Sequence, residues 1–267
     1  MSTPQATAAA ETSTPEPAIL FRVDGGLARV TLNRPKQLNA INEEAAHLWR
    51  DIAAEIDRRD DIRAVLFDAV GRAFCAGGDV ASMVGTSGED VTALADVIHE
   101  GHSILRDTPK PIVAAVHGTA VGGGLGFMLV ADHIVAAESA VFGSKYADIG
   151  LTPDCGVSTL LPEAIGMRRA LQLTLSDRML TASEAEAWGL VTETVTDDEV
   201  AARAQAVAQY WLDGATAAYG QAKRLLRQAP KRSYRESLDD EARTIGAAIG
   251  SPDAQARIAA FVAPRTR

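Results

Sequence analysis

Two glycine-bearing turns, Phe74-Cys-Ala-Gly-Gly-Asp79 and His117-Gly-Thr-Ala-Val-Gly-Gly-Gly-Leu-Gly126, each follow a run that reads as a β-strand. They place Gly78 and Gly123 about 45 residues apart. Glycine lets the backbone approach a ligand closely and adopt positive φ. Where such a turn opens a helix, its N–H groups lack partners and favour negative charge. Two N–H donors aimed at one oxygen form an oxyanion hole, worth about 2.7–4 kcal/mol per donor in acyl chemistry. Taken singly, each turn is equally compatible with tight helix–strand packing. A dinucleotide fingerprint does not fit, because Gly122-Gly-Gly-Leu-Gly126-Phe127 has no glycine at the sixth position and the phosphate-loop lysine is missing.

One carboxylate stands out. Asp154, in Ile149-Gly-Leu-Thr-Pro-Asp154-Cys-Gly156, precedes a predicted helix over 156–165. It is a candidate acid/base, with an N-cap that satisfies free helix N–H groups as the alternative role. Tyr146 reads as a packed tyrosine with its hydroxyl at water. His117 reads as a structural hydrogen-bonding group, Asp132 and His133 as scaffold, and Asp79 as a local cap. Cys155 has no evident histidine partner and reads as a small packed residue.

The elements that must position these groups follow from periodicity. Residues 19–23 and 27–32 are β-type runs joined by Asp24-Gly25-Gly26, a hairpin signal. A loop over 33–42 leads to a helix with apolar Ala45, Leu48, Trp49, Ile52 and Ile56 on one face. Strands are predicted at 64–70, 111–116, 133–137 and 140–142, and helices at 91–105 and 125–131. Thr181-Ala-Ser-Glu184 is a capping box. Helical patterns then cover 199–212, 216–228, 234–248 and 253–262. Strand–helix alternation early and helices late predict one α/β core with a helical C-terminal region.

Composition bounds the partners. The chain has 267 residues, and its net charge of −9 opposes a nucleic-acid interface built on many phosphate contacts. It leaves room for a local cluster meeting a small anionic ligand. Two cysteines exclude a disulfide scaffold and suggest a reducing, cytoplasmic compartment. No apolar run reaches the roughly 20 residues needed to span a bilayer. Residues 1–17 carry Ala, Thr, Pro and Glu and read as a disordered tail, not a secretory signal.

Together, Leu32-Asn-Arg-Pro-Lys-Gln-Leu-Asn-Ala-Ile41, the two glycine turns with their strands, and Leu180-Thr-Ala-Ser-Glu-Ala-Glu-Ala-Trp-Gly-Leu-Val191 resemble the crotonase superfamily, the enoyl-CoA hydratase/isomerase family. The resemblance runs over roughly residues 19–262. It implies an α/β crotonase (ClpP-like) fold of repeated ββα units over 18–195 and a helical C-terminal trimerisation region over 196–267. It also implies a homotrimer or dimer of trimers, and an acyl-CoA thioester as substrate. Coenzyme A enters as part of that substrate; no other cofactor and no metal is implied. By position, Gly78 and Gly123 supply the oxyanion N–H donors. Arg34 and Lys36 are candidates for the CoA phosphates, and Ala76 and Tyr146 for further substrate contacts. Lys223, Arg224, Arg227, Lys231 and Arg232 meet CoA from a neighbouring subunit or, as the simpler expectation, lie at the surface.

The pattern departs from a typical hydratase of this family. Its two water-activating glutamates fall at Gly126 and Tyr146, neither of which can act as a carboxylate. Asp154 matches a third position, used by certain Δ3,Δ2-enoyl-CoA and ring-epoxide isomerases, a chlorobenzoyl-CoA dehalogenase and hydroxyisobutyryl-CoA hydrolases. A double-bond shift needs one base that takes a C2 proton and returns it at C4, so isomerisation is the expected reaction. The alternatives are hydration by nonstandard groups, hydrolase- or dehalogenase-like chemistry through Asp154, and noncatalytic acyl-CoA or RNA binding.

Overall fold

The computed structural model describes residues 16–263. Residues 1–15, which carry most of the predicted tail, lie outside the described residues. The first two runs form the expected hairpin. Strands β1 (Ile19–Asp24) and β2 (Leu27–Leu32) pair antiparallel around Gly25 and Gly26, both at positive φ as a tight two-residue turn requires. Helix α1 (Glu43–Arg58) follows, capped by the Asn42 side chain, which accepts the Ala45 N–H. This β1-β2-α1 segment is the first ββα unit.

A six-stranded sheet runs in the order β1-β2-β3-β4-β6-β9, with β3 at Ala64–Ala69, β4 at Ile112–Val116, β6 at His133–Ala137 and β9 at Glu193–Val195. From β2 onward every pair is parallel. Continuous apolar runs such as Ile112-Val-Ala-Ala-Val116 suit strands covered on both faces. A smaller sheet joins β5 (Thr119–Val121), β7 (Val141–Gly143) and β8 (Leu180–Thr181). Two more ββα units follow the first: β4-β5 into α4 (Gly123–Leu129), and β6-β7 into α5 (Val157–Ile165).

Between β3 and β4 lie a short α2 (Val80–Met83) and the long α3 (Gly88–Asp107). Trp49 of α1 packs on Phe67 of β3 and Phe127 of α4, with centroids 5.1 and 4.6 Å apart. Helices α6 (Met167–Thr174) and α7 (Ala182–Trp188) precede β9, and the predicted capping box at Thr181 and Glu184 opens α7. Helices α8 (Val200–Asp213), α9 (Thr216–Gln228), α10 (Tyr234–Ile249) and α11 (Pro252–Val262) end the chain. Helix α8 covers β3, β4 and β6, whereas α10 and α11 bury no residue.

Two differences from the sequence reading bear on function. Helix α4 starts at Gly123, two residues earlier than expected, which puts that N–H at the helix opening. Strands β5, β8 and β9 were not predicted, since two or three residues give no readable period.

Candidate active site

The first glycine turn is anchored on both sides. The N–H groups of Phe74 and Cys75 donate to the carbonyls of His117 and Thr119, and those of Ala76 and Asp79 to Leu38 and Ile41, all at 2.9–3.0 Å. Among the described residues, the N–H of Gly78 has no such partner. The second turn repeats the arrangement: Val121 and Gly122 donate to Cys75 and Gly143, while Gly123, first in α4, has no acceptor among the described residues. Gly122 sits at φ 55°, ψ −128°, a conformation open essentially to glycine alone.

The turns are in contact. A Cβ built on Gly77 would lie 3.2 Å from the Gly123 nitrogen, and one on Gly123 would lie 3.7 Å from the Gly78 nitrogen. Two backbone donors without partners thus lie side by side, as carbonyl recognition requires.

Asp154 opens a turn whose next residue, Cys155, packs against Gly123. The Asp154 carbonyl accepts the Val157 N–H at 2.9 Å, and the two residues between, Cys155 and Gly156, both have positive φ (50° and 75°). Positive φ at a non-glycine residue is uncommon and costs free energy unless its surroundings hold it. The N-cap of α5 is Gly156, and no side chain caps it. The capping role for Asp154 is therefore overturned: its carboxylate turns instead to Tyr146, whose hydroxyl donates to Oδ1 at 2.7 Å.

That bond also corrects the reading of Tyr146. The residue is 8% exposed, and its hydroxyl faces a carboxylate, not water. Burial, then the neighbouring Cys155 and Asp154, push its phenol up, so it stays a donor. Gly126 has an equally specific reason. A Cβ there would lie 2.3 Å from the Cys155 carbonyl oxygen and 2.6 Å from its Cβ. The space beside Gly126 is filled by the Cys155 turn, and the space beside Tyr146 holds the bond to Asp154. The two departures from the hydratase pattern form one arrangement.

A histidine that the sequence reading missed completes the cluster. Nε2 of His99, on α3, accepts the Cys155 N–H at 3.1 Å, so Cys155 does have a histidine neighbour. This contact spans 56 residues of sequence, and α3 showed only which face is apolar. His99, Asp154 and Cys155 offer ligand-type atoms within 4.8 Å of one another. Each is engaged within the protein: Nε2 by the Cys155 amide, the carboxylate by Tyr146, and the thiol held protonated by burial and by Asp154. The three form a hydrogen-bonded network.

A cleft of about 390 Å³ opens between α3 and α5, with His99, His102, Arg106, Pro153 and Asp154 on its wall. Asp154 thus has this cleft on one side, while Cys155 beside it approaches Gly123, its sulfur 3.4 Å from a Cβ built there. His102 is 6% exposed, accepts the Trp49 indole N–H, and is pushed down to about 4, chiefly by burial.

The remaining candidates fall into two groups. Arg34 pairs with Asp79 at 2.9 Å and donates to the Ala40 carbonyl, which ties the 33–42 loop to the first glycine turn. Asp79 makes no side-chain cap, so that expectation is corrected too. Lys36 is exposed, and Ala76, half-buried, donates its N–H to Leu38. Lys223 is buried, not at the surface: it pairs with Asp132 and donates to the Leu105 and Lys110 carbonyls. Arg227 joins Asp132, and Arg224 and Arg232 share Asp240, while Lys231 is exposed. His117 Nε2 donates to the Gly71 carbonyl at 2.8 Å, and His133 meets Glu193, as the scaffold reading expected.

Strand-opened glycine turns with free N–H groups, near a half-buried carboxylate on stacked ββα units, define an enzyme of the crotonase type. The family described as enoyl-CoA hydratase/isomerase matches residues 22–266, and this chain belongs to it. The chain is 33% identical over 258 residues to the 1,2-epoxyphenylacetyl-CoA isomerase of Escherichia coli (strain K12), covering 93% of this chain and 96% of that one. An enoyl-CoA hydratase from Mycobacterium smegmatis has a similar structure, with a TM-score of 0.88 at 26% identity over 92% and 96% of the two chains. A Thermobifida fusca YX protein solved in complex with CoA superposes with a TM-score of 0.81 at 26% identity over 87% and 93%. The fold is the crotonase fold, and the family acts on acyl-CoA thioesters. No helix among the described residues is long and apolar enough to cross a membrane.

Proposed function

We propose that the protein is an acyl-CoA isomerase that shifts a double bond through an enolate. The thioester oxygen sits against the N–H groups of Gly78 and Gly123. The Asp154 carboxylate takes a proton from C2 of a Δ3-enoyl thioester. The electron pair of that C–H bond moves into the C2–C1 unit, charge collects on the thioester oxygen, and the two N–H donors stabilise it. The protonated Asp154 then gives the proton to C4, leaving the conjugated Δ2 product and restoring the carboxylate. One base serves both transfers and no water is consumed.

The observation that carries this reading is the Tyr146–Asp154 bond beside the Gly126–Cys155 contact. Together they leave one carboxylate where a hydratase of this family sets two. The E. coli relative, named an isomerase, supports the same direction. No cofactor is needed beyond the CoA carried by the substrate. Lys36 remains a candidate for the CoA phosphates, and Arg34 supports it indirectly by fixing the loop that carries it. Exposed Leu226, Ile245, Phe261 and Val262 on α9–α11 support a homotrimer or dimer of trimers.

The test is an acyl-CoA panel with a Δ3-enoyl-CoA, a Δ2-enoyl-CoA and 1,2-epoxyphenylacetyl-CoA, followed for double-bond shift, hydration and free thiol. Conjugation of the Δ3 substrate is expected. Asp154→Asn should lower its turnover on the order of 100-fold while CoA-ester binding survives. Hydration of the Δ2 substrate with no isomerisation would contradict the proposal.

A further inference from the structure

Nothing in the reaction as proposed uses His99, yet it accepts a backbone N–H of the turn that presents Asp154, a turn whose Asp154 carbonyl also accepts the Tyr146 hydroxyl at 3.3 Å. Cys155 is buried and has φ 50°, so its N–H points inward from a conformation that a cysteine rarely adopts. A buried N–H without an acceptor costs free energy of the same order as the strain itself. The acceptor is Nε2 of His99, 3.1 Å away on another element, α3. An imidazole accepts there only while Nε2 is unprotonated, which places the ring proton on Nδ1.

We infer that His99 is a positioning residue: it pins the left-handed Cys155 turn and thereby sets the Asp154 carboxylate against the substrate carbon. The inference rests on Asp154 being the acid/base. Asp154 then has two supports from different parts of the fold. Tyr146 fixes its side chain from the loop after β7, and His99 fixes its backbone from α3. With the amide acceptor gone, Cys155 relaxes toward negative φ and carries Asp154 away from the bonding distance that proton transfer requires. Displacements of about 1 Å at a reacting group cost up to roughly 100-fold in rate.

The experiment combines kinetics with a direct view of the amide. His99→Ala is expected to lower kcat for a Δ3-enoyl-CoA about tenfold or more with little change in KM. His99→Gln, whose amide oxygen can accept the same N–H, should recover most of that loss. In an Asp154→Asn background, His99→Ala should have no further effect, because a residue that acts through Asp154 cannot add to its removal. The chain has two cysteines, so selective 15N-cysteine labelling gives two amide signals. The Cys155 signal should shift and exchange faster with solvent in His99→Ala, while that of Cys75 stays fixed. Wild-type kcat in His99→Ala, or an equal loss in both backgrounds, would overturn the positioning role. Undiminished turnover by Asp154→Asn alone would instead remove Asp154 from the mechanism, and this inference with it.

Discussion

Asp154 is held by a phenol that burial keeps protonated, and that pairing makes the role of Tyr146 measurable. Tyr146→Phe keeps the ring packed and deletes one donor. We expect kcat to fall about tenfold with the fold intact, as steady-state kinetics beside a thermal melt would show. Gly126 tests the same arrangement from the other side. Gly126→Glu, which restores a hydratase-like carboxylate on paper, drives a Cβ to within 2.3 Å of the Cys155 carbonyl oxygen. The expected result is a loss of stability of about 1–3 kcal/mol or more in urea titration, and no gain of hydration. At this scale the sequence was informative about residue types and blind to partners. Gly78, Gly123 and Asp154 were legible because their motifs are local. His99 was not, since its partner lies across 56 residues and its ring is one position from the buried face marked by Ile98 and His102. Tyr146 was visible as a missing glutamate, but what its hydroxyl meets depends on a turn with two positive φ angles, and only Gly156 advertises one of them.

Helix α3 carries a pH dependence that belongs to the element. His102, folded between Trp49 and Phe127, is pushed down to about 4 from an ordinary 6.5, chiefly by burial. Between these values the unfolded chain binds a proton that the folded chain refuses, so stability falls as pH drops. The contribution is fully present above about 6.5 and is lost on the way down to about 4. Urea midpoints measured across that window should decline in the wild type, and less steeply in His102→Gln; equal slopes would contradict this. The long elements were legible because their apolar faces repeat over three or more turns, as in α1 with Ala45, Trp49, Ile52 and Ile56. In the second sheet β7 was legible, but β5 and β8 were not, because their pairing comes from tertiary contacts such as Cys75 with Ala120. Those bridges place the first glycine turn beside the second, so the feature most important for the site was the one with least local signal.

The whole molecule carries a net charge of −9, which argues against the RNA-binding reading. Filter binding should show no tight, salt-sensitive retention of RNA. Its basic residues are largely spent internally: Lys223 and Arg227 on Asp132 fasten α9 to the sheet, and Arg224 and Arg232 share Asp240 between α9 and α10. Lys223 could not be placed from sequence, because one lysine in a basic run looks like its exposed neighbours. The apolar side chains left outside on α10 and α11 predict an assembly. Light scattering should give three or six times the 28.1 kDa chain mass, and a monomer would contradict it. The central claim concerns one oxygen. An unreactive acyl-CoA with a 13C-labelled thioester carbonyl, bound to the protein, should show its C=O stretch at lower frequency than in water, because the Gly78 and Gly123 N–H groups polarise that bond. A bound carbonyl with the frequency of the free thioester would contradict the account.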